Sequence, residues 1–307
     1  MGKTLYLECY SGISGDMTVA ALLDLGADQA VLDSALKSLP VSGFQTRISR
    51  VVKGGIDACD FDVMLDKEYE NHDHDMEYLH GHHHENTEAD THLHAHENGT
   101  DEMHTHNHDH VHEHKHTHDA ASAHGHHHHE HRGLKEITHI IEHSEMTDNA
   151  KKTALRIFGI LAEAEGKAHN MPSDQVHFHE VGAVDSIVDI VSAAVCLDNL
   201  EITDVVIPVL HEGCGTVRCQ HGILPVPVPA VVNVVNENHL NMKITDVKGE
   251  LVTPTGAAIA AAIKTKDQLP KEFAIQKTGV GAGKRHYECP GILKAMLISE
   301  GVSGCCM

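Results

Sequence analysis

The sequence predicts an α/β fold with a mostly parallel sheet and flanking helices. Short apolar runs alternate along the chain with stretches of helical periodicity, which is typical of strand-helix-strand units. Trp is absent and aromatic residues make up 3% of the chain, so the core must be built from aliphatic side chains. About 240 residues remain outside one histidine-rich segment, enough for one large domain or two smaller ones.

The first predicted unit, residues 1–66, is the N-terminal part of the main α/β domain. Residues 4–9 (TLYLEC) form an apolar run typical of a buried strand, and the glycines of YSGISGD separate it from a helical stretch. Asp28 can cap a second helix, which Pro40 ends. Residues 45–65 alternate apolar and polar side chains around a KGG turn, so we expect a β-hairpin.

Residues 67–132 are predicted to be a long, disordered, histidine-rich insertion. Twenty-three of the 32 histidines lie between His72 and His131, among Asp, Glu, Asn, Gly and Thr. The segment has too few apolar side chains to form a core. Neutral imidazole suits nickel, zinc and copper, and closely spaced rings can chelate in many registers, so we interpret the insertion as a metal reservoir. The alternative is a neutral spacer of low complexity. The histidines predicted here to bind metal are His82, His83, His84, His104, His106, His108, His110, His112, His114, His116, His118, His126, His127, His128 and His129.

Residues 133–266 are predicted to complete the main domain. A helix is expected from about 148 to 168, followed by strand-turn-helix patterns in HFHEVGAVDSIVDI and in GELVTPTGAAIAAAI. Residues 267–307 have a strand-turn-strand pattern, which differs from the strand-helix alternation that precedes it. We expect them to begin a C-terminal α+β domain that is cut short.

The turn YSGISGD is the first candidate site. It places Ser11, Gly12, Ser14, Gly15 and Asp16 between a strand and a helix, where open α/β sheets bind ligands and backbone N–H groups can approach an anion. The spacing is neither a Walker loop nor a dinucleotide fingerprint. A tight turn with Ser14 or Asp16 as a plain helix cap is the alternative.

The segment HFHEVGAVDSIVDI is the densest candidate outside the insertion. His177 and His179 share a face if the segment is a strand, and Glu180 and Asp185 flank the following turn. Two imidazoles with carboxylates can hold a divalent ion or transfer a proton, so we predict catalytic roles for these four and metal binding for the two histidines. Structural histidines and an Asp185 cap are the alternative.

A third candidate is GELVTPTG, which places Thr253, Thr255 and Gly256 at the start of an Ala-rich helix. Hydroxyls and free amides at a helix start can bind a phosphate group, although a plain cap explains the pattern equally simply.

Composition excludes several classes of protein. The chain carries a formal net charge of −22, and residues 67–131 contribute thirteen of these charges, so nucleic acid is not an expected partner. No apolar run approaches the roughly 20 residues of a membrane span, and residues 1–12 lack the pattern of a secretory signal. The eight cysteines are dispersed without a CxxC pair. We therefore expect a soluble cytoplasmic protein with reduced thiols. The sequence leaves its oligomeric state open, a homo-oligomer included.

The motifs ECYSGISGDM, HFHEVGAVDSIVDI, HGILPVPVPA, GELVTPTGAA and GVGAGKR, in this order around a histidine-rich insertion, resemble the LarC family of nickel insertion proteins. The resemblance covers almost the whole chain outside the insertion, and the set of motifs is far more specific than any one of them. It implies insertion of nickel into pyridinium-3,5-bisthiocarboxylic acid mononucleotide, to make the nickel-pincer cofactor of lactate racemase. It also implies use of CTP with Mg²⁺ or Mn²⁺.

The same resemblance implies roles for the candidate residues. His177, His179, Glu180 and Asp185 would supply the base and deliver nickel, while Ser11, Ser14, Asp16, Thr253 and Thr255 would contact the substrate or its phosphate. The CTP-binding portion of the family lies beyond the motifs matched here. We therefore expect the chain to need a separate C-terminal counterpart for CTP-dependent activity. The alternative function is a non-catalytic nickel or zinc storage metallochaperone. A GTP-dependent chaperone is disfavoured, because the chain has no GxxxxGK[ST] loop.

Overall fold

The main structural feature is a six-stranded mixed sheet with helices packed on one face. The computed structural model describes residues 2–66, 132–176, 178, 184–219 and 221–300. The described strands are β1 Lys3–Glu8, β2 Phe44–Lys53, β3 Ile56–Leu65, β4 Ile202–Val206, β5 Leu210–Cys214, β6 Thr216–Cys219, β7 Gly222–Pro225, β8 Met242–Lys248, β9 Phe273–Ala282 and β10 Ile292–Glu300. The described helices are α1 Gly15–Asp24, α2 Gln29–Lys37, α3 Leu134–Glu142, α4 Asp148–His169, α5 Val184–Asn199, α6 Pro229–Glu237 and α7 Pro254–Ile263, with one 3-10 turn at Ser173–Gln175.

The strand order in the large sheet is β2-β3-β9-β10-β1-β4. Neighbouring strands pair antiparallel at β2-β3, β9-β10 and β10-β1, and parallel at β1-β4 and, through Cys59 and Gly281 alone, at β3-β9. The prediction of a mostly parallel sheet was therefore wrong, although the α/β class is confirmed. A short turn makes β2 and β3 antiparallel, and β10 pairs antiparallel with both β9 and β1.

The C-terminal strands lie in the middle of this sheet. We expected residues 267–307 to begin another domain, but β9 and β10 pair between β3 and β1. Glycines make this position possible: a Cβ at Gly281 would lie 2.1 Å from the carbonyl oxygen of Met17, and one at Gly279 2.3 Å from that of Ala21. Helix α1 therefore rests directly on β9, and the expected domain boundary at 267 falls within a continuous sheet.

The core lies between the sheet and the helices. Leu5 and Leu7 of β1 are fully buried in it together with α1, α4, α5 and α7, while Tyr6 between them belongs to a smaller cluster that includes Val206 and Met296. Period-two alternation along β1 gives the strand one face for each cluster.

Local sequence signals explain several helix ends. Asp28 caps α2 by accepting a hydrogen bond from the Ala30 N–H at 2.8 Å, and Thr147 caps α4 by accepting one from Ala150 at 3.2 Å. Helix α4 ends at His169, and the C-cap residue Asn170 has a left-handed φ of 53°. Within the described ranges, no helix combines the length and the apolar character needed to cross a membrane.

Candidate functional site

The turn between β1 and α1 brings the first candidate motif to the end of a central strand. The Gly12 N–H donates to the carbonyl oxygen of Cys9 at 3.2 Å, which closes the turn, and α1 begins at Gly15. This is the predicted strand-turn-helix arrangement, and it puts Ser11, Ser14 and Asp16 at the amino end of α1.

The start of α1 is not a plain helix cap. The Ser14 hydroxyl makes no capping hydrogen bond and instead donates to Asp16 Oδ1, which also accepts from the Met17 N–H at 2.8 Å. Burial raises the pKa of the Asp16 carboxyl above its ordinary value, although the hydrogen bonds from Ser14 and Met17 oppose the shift. Asp16 is thus held rigidly in a setting that disfavours its charge.

A second buried carboxyl, that of Asp189 on α5, lies against the same helix start. A Cβ on Gly15 would come within 2.5 Å of Asp189 Oδ2, so only glycine allows this approach. Asp189 accepts a backbone hydrogen bond from Asp16, and its buried Oδ1 has no hydrogen-bond partner within the described part of the chain. Burial raises the pKa of Asp189 well above its ordinary value, and the charges of Asp16 and Asp185 raise it further.

Two lysines that are distant in sequence from Asp16 bring positive charge close to it. Lys284, just after β9, contacts Asp62 Oδ1 at 2.8 Å and Asp60 Oδ1 at 3.3 Å. Burial lowers the pKa of Lys284, but the hydrogen bond to Asp62 and the charges of Asp60 and Asp16 outweigh burial, so the pKa lies above its ordinary value. Burial lowers the pKa of Lys53 at the end of β2, against the charges of Asp60 and Asp16.

These groups influence one another and form one site. We call the side chains of Asp16, Asp60, Asp189, Lys53 and Lys284 the carboxyl-lysine cluster. The raised pKa values of Asp16 and Asp189 suit carboxyls that take part in proton transfer, and ammonium groups beside a helix start attract anions. The cluster therefore combines proton transfer with anion binding at one end of the sheet.

The third candidate motif lies beside the first. The Ile13 N–H donates to the Leu251 carbonyl at 3.0 Å, and the Thr253 N–H donates to the Ile13 carbonyl at 3.1 Å. A Cβ on Gly256 would lie 2.1 Å from the Ile13 carbonyl oxygen. The structure therefore places the starts of α1 and α7 in backbone contact. The Thr253 hydroxyl accepts from the Gly256 N–H at 3.1 Å, which is the plain cap given as the alternative above.

The second candidate motif is described only in part. His177, His179 and Glu180 lie outside the described residues, as do all the histidines of the insertion that were predicted to bind metal. Asp185 is in the first turn of α5, one turn before Asp189. In the described ranges, no three His, Cys, Asp or Glu side chains are placed to hold a metal ion. The predicted metal and catalytic roles stay predictions.

Four members of the cluster were absent from our sequence-based choice of site residues. Asp189 lies in the motif HFHEVGAVDSIVDI, one helical turn beyond Asp185, and Asp60 lies in the alternating pattern of the predicted hairpin. Lys284 belongs to the motif GVGAGKR, where a lysine after three glycines was a usable signal. Lys53 had no such signal, because a lysine in a KGG turn is ordinary.

Comparison with known proteins gives a consistent result. The family model described as "Nickel insertion protein" matches residues 5–304. The chain is 51% identical to the pyridinium-3,5-bisthiocarboxylic acid mononucleotide nickel insertion protein of Alkaliphilus metalliredigens, over 98% of this chain and 61% of that protein. It is 42% identical to the protein of the same name from Clostridium acetobutylicum, over 97% of this chain and 64% of the relative.

A third relative with this name, from Acetivibrio thermocellus, is 36% identical over 92% of this chain and 57% of its own length. The chain thus spans about three fifths of the length of these curated relatives. A search of solved structures found no match.

Proposed function

Because the chain belongs to the nickel insertion protein family, we propose that it takes part in inserting nickel into pyridinium-3,5-bisthiocarboxylic acid mononucleotide. The carboxyl-lysine cluster at the start of α1 is the observation that supports a catalytic role for this chain. Nickel is a substrate in this reaction, and the family resemblance implies that it becomes bonded to sulfur and to a ring carbon.

The carboxyls of the cluster suit the proton that this reaction releases. Forming a nickel–carbon bond at an aromatic position breaks a C–H bond, and the proton needs an acceptor. Asp189 and Asp16 lie beside one another, and burial raises the pKa of both, so the carboxylate form of each is a stronger base than that of an ordinary aspartate. We assign Asp16 and Asp189 to this role. Asp185, His177, His179 and Glu180 remain the candidates for delivering nickel.

The positive groups suit the anionic substrate. A mononucleotide with two thiocarboxylate groups carries negative charge at both ends. Lys284 and Lys53 lie close enough to Asp16 to affect its charge, and the helix dipole adds a partial positive charge at the start of α1. We propose that these groups orient the substrate, with the hydroxyls of Ser11, Ser14 and Thr255 as further contacts.

The use of CTP with Mg²⁺ or Mn²⁺, a C-terminal CTP-binding counterpart and a client enzyme of the lactate racemase type are implied by the family resemblance alone. A reconstitution would test them. The chain would be incubated with the thiolated precursor, Ni²⁺, CTP and Mg²⁺, with and without the C-terminal portion of the longer Alkaliphilus relative. We expect product, followed by absorption and mass, only when that portion and CTP are both present. Product without CTP would contradict the nucleotide requirement.

A storage metallochaperone is the second candidate, because 23 histidines lie between His72 and His131. Two variants separate the functions. Deletion of residues 72–131 should sharply reduce the nickel stoichiometry measured by equilibrium dialysis and leave insertion possible at high Ni²⁺. Asp189→Asn should abolish insertion with unchanged nickel stoichiometry. If Asp189→Asn inserted nickel at the wild-type rate, the catalytic proposal for the cluster would fail and storage would be favoured.

A further inference from the structure

Glu212 on β5 is a buried carboxyl outside the carboxyl-lysine cluster. Its side chain is 0% exposed. Oε1 accepts three backbone hydrogen bonds, from the N–H groups of Gly213 at 2.7 Å, Leu251 at 2.7 Å and Val252 at 3.1 Å. The other oxygen, Oε2, has no hydrogen-bond partner among the residues that the structure describes. A single oxygen therefore ties β5 to the segment that leads into α7.

This connection continues to the start of α1. The Leu251 carbonyl accepts the Ile13 N–H at 3.0 Å, and the Ile13 carbonyl accepts the Thr253 N–H at 3.1 Å. A chain of short backbone contacts thus runs from Glu212 through residues 251–253 to Ile13, one residue before Ser14. Within the described structure, Glu212 is the side chain that accepts the hydrogen bonds of the Leu251 and Val252 N–H groups.

The same segment is held from its other side by the motif GVGAGKR. Arg285 Nη1 contacts Glu250 Oε2 at 2.7 Å, and the Tyr287 hydroxyl donates to the Glu250 carbonyl at 2.6 Å. Arg285 directly follows Lys284 of the cluster. Glu212 therefore holds residues 251 and 252, while Arg285 and Tyr287 hold Glu250. This segment is connected to the start of α1 through Ile13 and to Lys284 through Arg285.

We infer that Glu212 is a positioning residue that holds residues 251 and 252 in place and, through Ile13, sets the position of the α1 start in the site described above. This inference rests on the proposed function for its relevance to substrate. The role needs only Oε1 as an acceptor, because Oε2 contributes no bond.

The charge state of Glu212 gives a way to test the role. Burial raises its pKa to about 7, against the three backbone hydrogen bonds that lower it, and the charge of Glu250 adds to the rise. Tyr287, whose pKa is also raised by burial, lies close enough to interact with the charge of Glu212, and Arg285 forms an ion pair with Glu250. The folded chain therefore binds a proton at Glu212 more tightly than the unfolded chain does. The resulting stabilisation is full below the ordinary pKa of 4.5 and is lost as pH rises through about 7.

Glu212→Gln and Glu212→Ala distinguish the acceptor role from a general packing role. Glutamine keeps an acceptor oxygen and copies the neutral form, whereas alanine leaves three buried N–H groups without a partner. Amide hydrogen exchange should be about tenfold faster or more at Leu251, Val252 and Ile13 in Glu212→Ala and near the wild-type rate in Glu212→Gln. Exposed Glu163→Gln on α4 is the control.

Two further measurements complete the test. The free energy of unfolding of Glu212→Gln relative to wild type should rise with pH from about 4.5 and level off above about 7, with the exposed Glu163→Gln variant measured alongside as the control. This comparison holds even if Glu212→Ala does not fold. Affinity for nicotinic acid mononucleotide, a pyridinium mononucleotide, should fall in Glu212→Ala and be retained in Glu212→Gln.

Wild-type exchange and affinity in Glu212→Ala, or equal damage in both variants, would overturn the inference. If wild type itself did not bind the mononucleotide, the proposed function would fail. Exchange at Ile13 would then still decide whether Glu212 positions the start of α1.

Discussion

Two helices begin side by side in this fold, α1 at Gly15 and α7 at Pro254, and their starts make opposite use of similar residues. Each start has a glycine that lies against a neighbouring segment and a hydroxyl residue before the first turn. At α7 the Thr253 hydroxyl caps the helix. At α1 the Ser14 hydroxyl turns instead to Asp16, beside a second buried carboxyl.

The surroundings explain the difference. The first turn of α7 leads into a buried Ala-rich helix with no charged side chain of its own. The first turn of α1 faces α5, β3 and the residues after β9, which bring the other charged groups of the carboxyl-lysine cluster. Similar local motifs therefore form a helix cap in one case and a cluster of charged side chains in the other, and the difference comes from what packs against each helix start.

The largest expected effect is on catalysis at the α1 start. Asp16→Asn and Asp189→Asn should each reduce nickel insertion by about 100-fold or more, since each removes a group that can accept a proton. Insertion rates with the reconstituted system provide the measurement. Asp267→Asn, at an exposed position, is the matched control and should keep the wild-type rate. Full activity in both cluster variants would place the site elsewhere.

Adding a methyl group at each helix start should sharpen the comparison. In Gly256→Ala the new Cβ meets a backbone oxygen at 2.1 Å, so we expect a loss of about 1–3 kcal/mol in the free energy of unfolding. In Gly15→Ala it meets the Asp189 side chain, with Oδ2 at 2.5 Å, so insertion should fall by more than the loss of stability explains.

Denaturant unfolding and insertion assays on both glycine variants would check this difference. Gly159→Ala in α4 is the control, because no atom of the described residues lies within 4 Å of its new Cβ and alanine favours a helix. Equal effects of the two variants on both readouts would remove the distinction between the helix starts.

The smallest expected effect is the loss of the α7 cap. Thr253→Ala should lower the free energy of unfolding by about 1 kcal/mol, because the Gly256 N–H loses its acceptor, and Thr253→Ser should restore most of it. Thermal unfolding of the three proteins measures this. If substrate affinity fell in Thr253→Ala without a loss of stability, the start of α7 would belong to the binding site as well.

The sequence predicted the elements of the main fold better than their arrangement. The expected helix from about 148 to 168 is α4, and the expected hairpin over residues 45–65 is β2 and β3. Both carry periodic patterns that depend on neighbours a few residues apart. The mostly parallel sheet was wrong because strand order depends on pairings such as β1 with β10, which no local pattern encodes.

The sequence likewise predicted some residues of the candidate site and missed others. The turn YSGISGD was identified from its glycines, and Asp185 from its place at a helix start. Lys284 and Asp60 are 224 positions apart, and their contact follows only from the pairing of β3 with β9. No local sequence pattern marks Glu212 as a positioning residue, because its partners Leu251 and Val252 are about 40 positions away.

By itself the sequence determined the α/β class, the positions of most strands and helices, the histidine-rich composition of residues 72–131 and the set of motifs shared with the family. These properties follow from local periodicity, turn residues and residue chemistry. The tertiary structure alone decided which helix start became charged and buried. A raised pKa at Asp16 or Asp189 requires that distant strands and helices remove water and bring other charges close, and that proximity exists only once the sheet has formed.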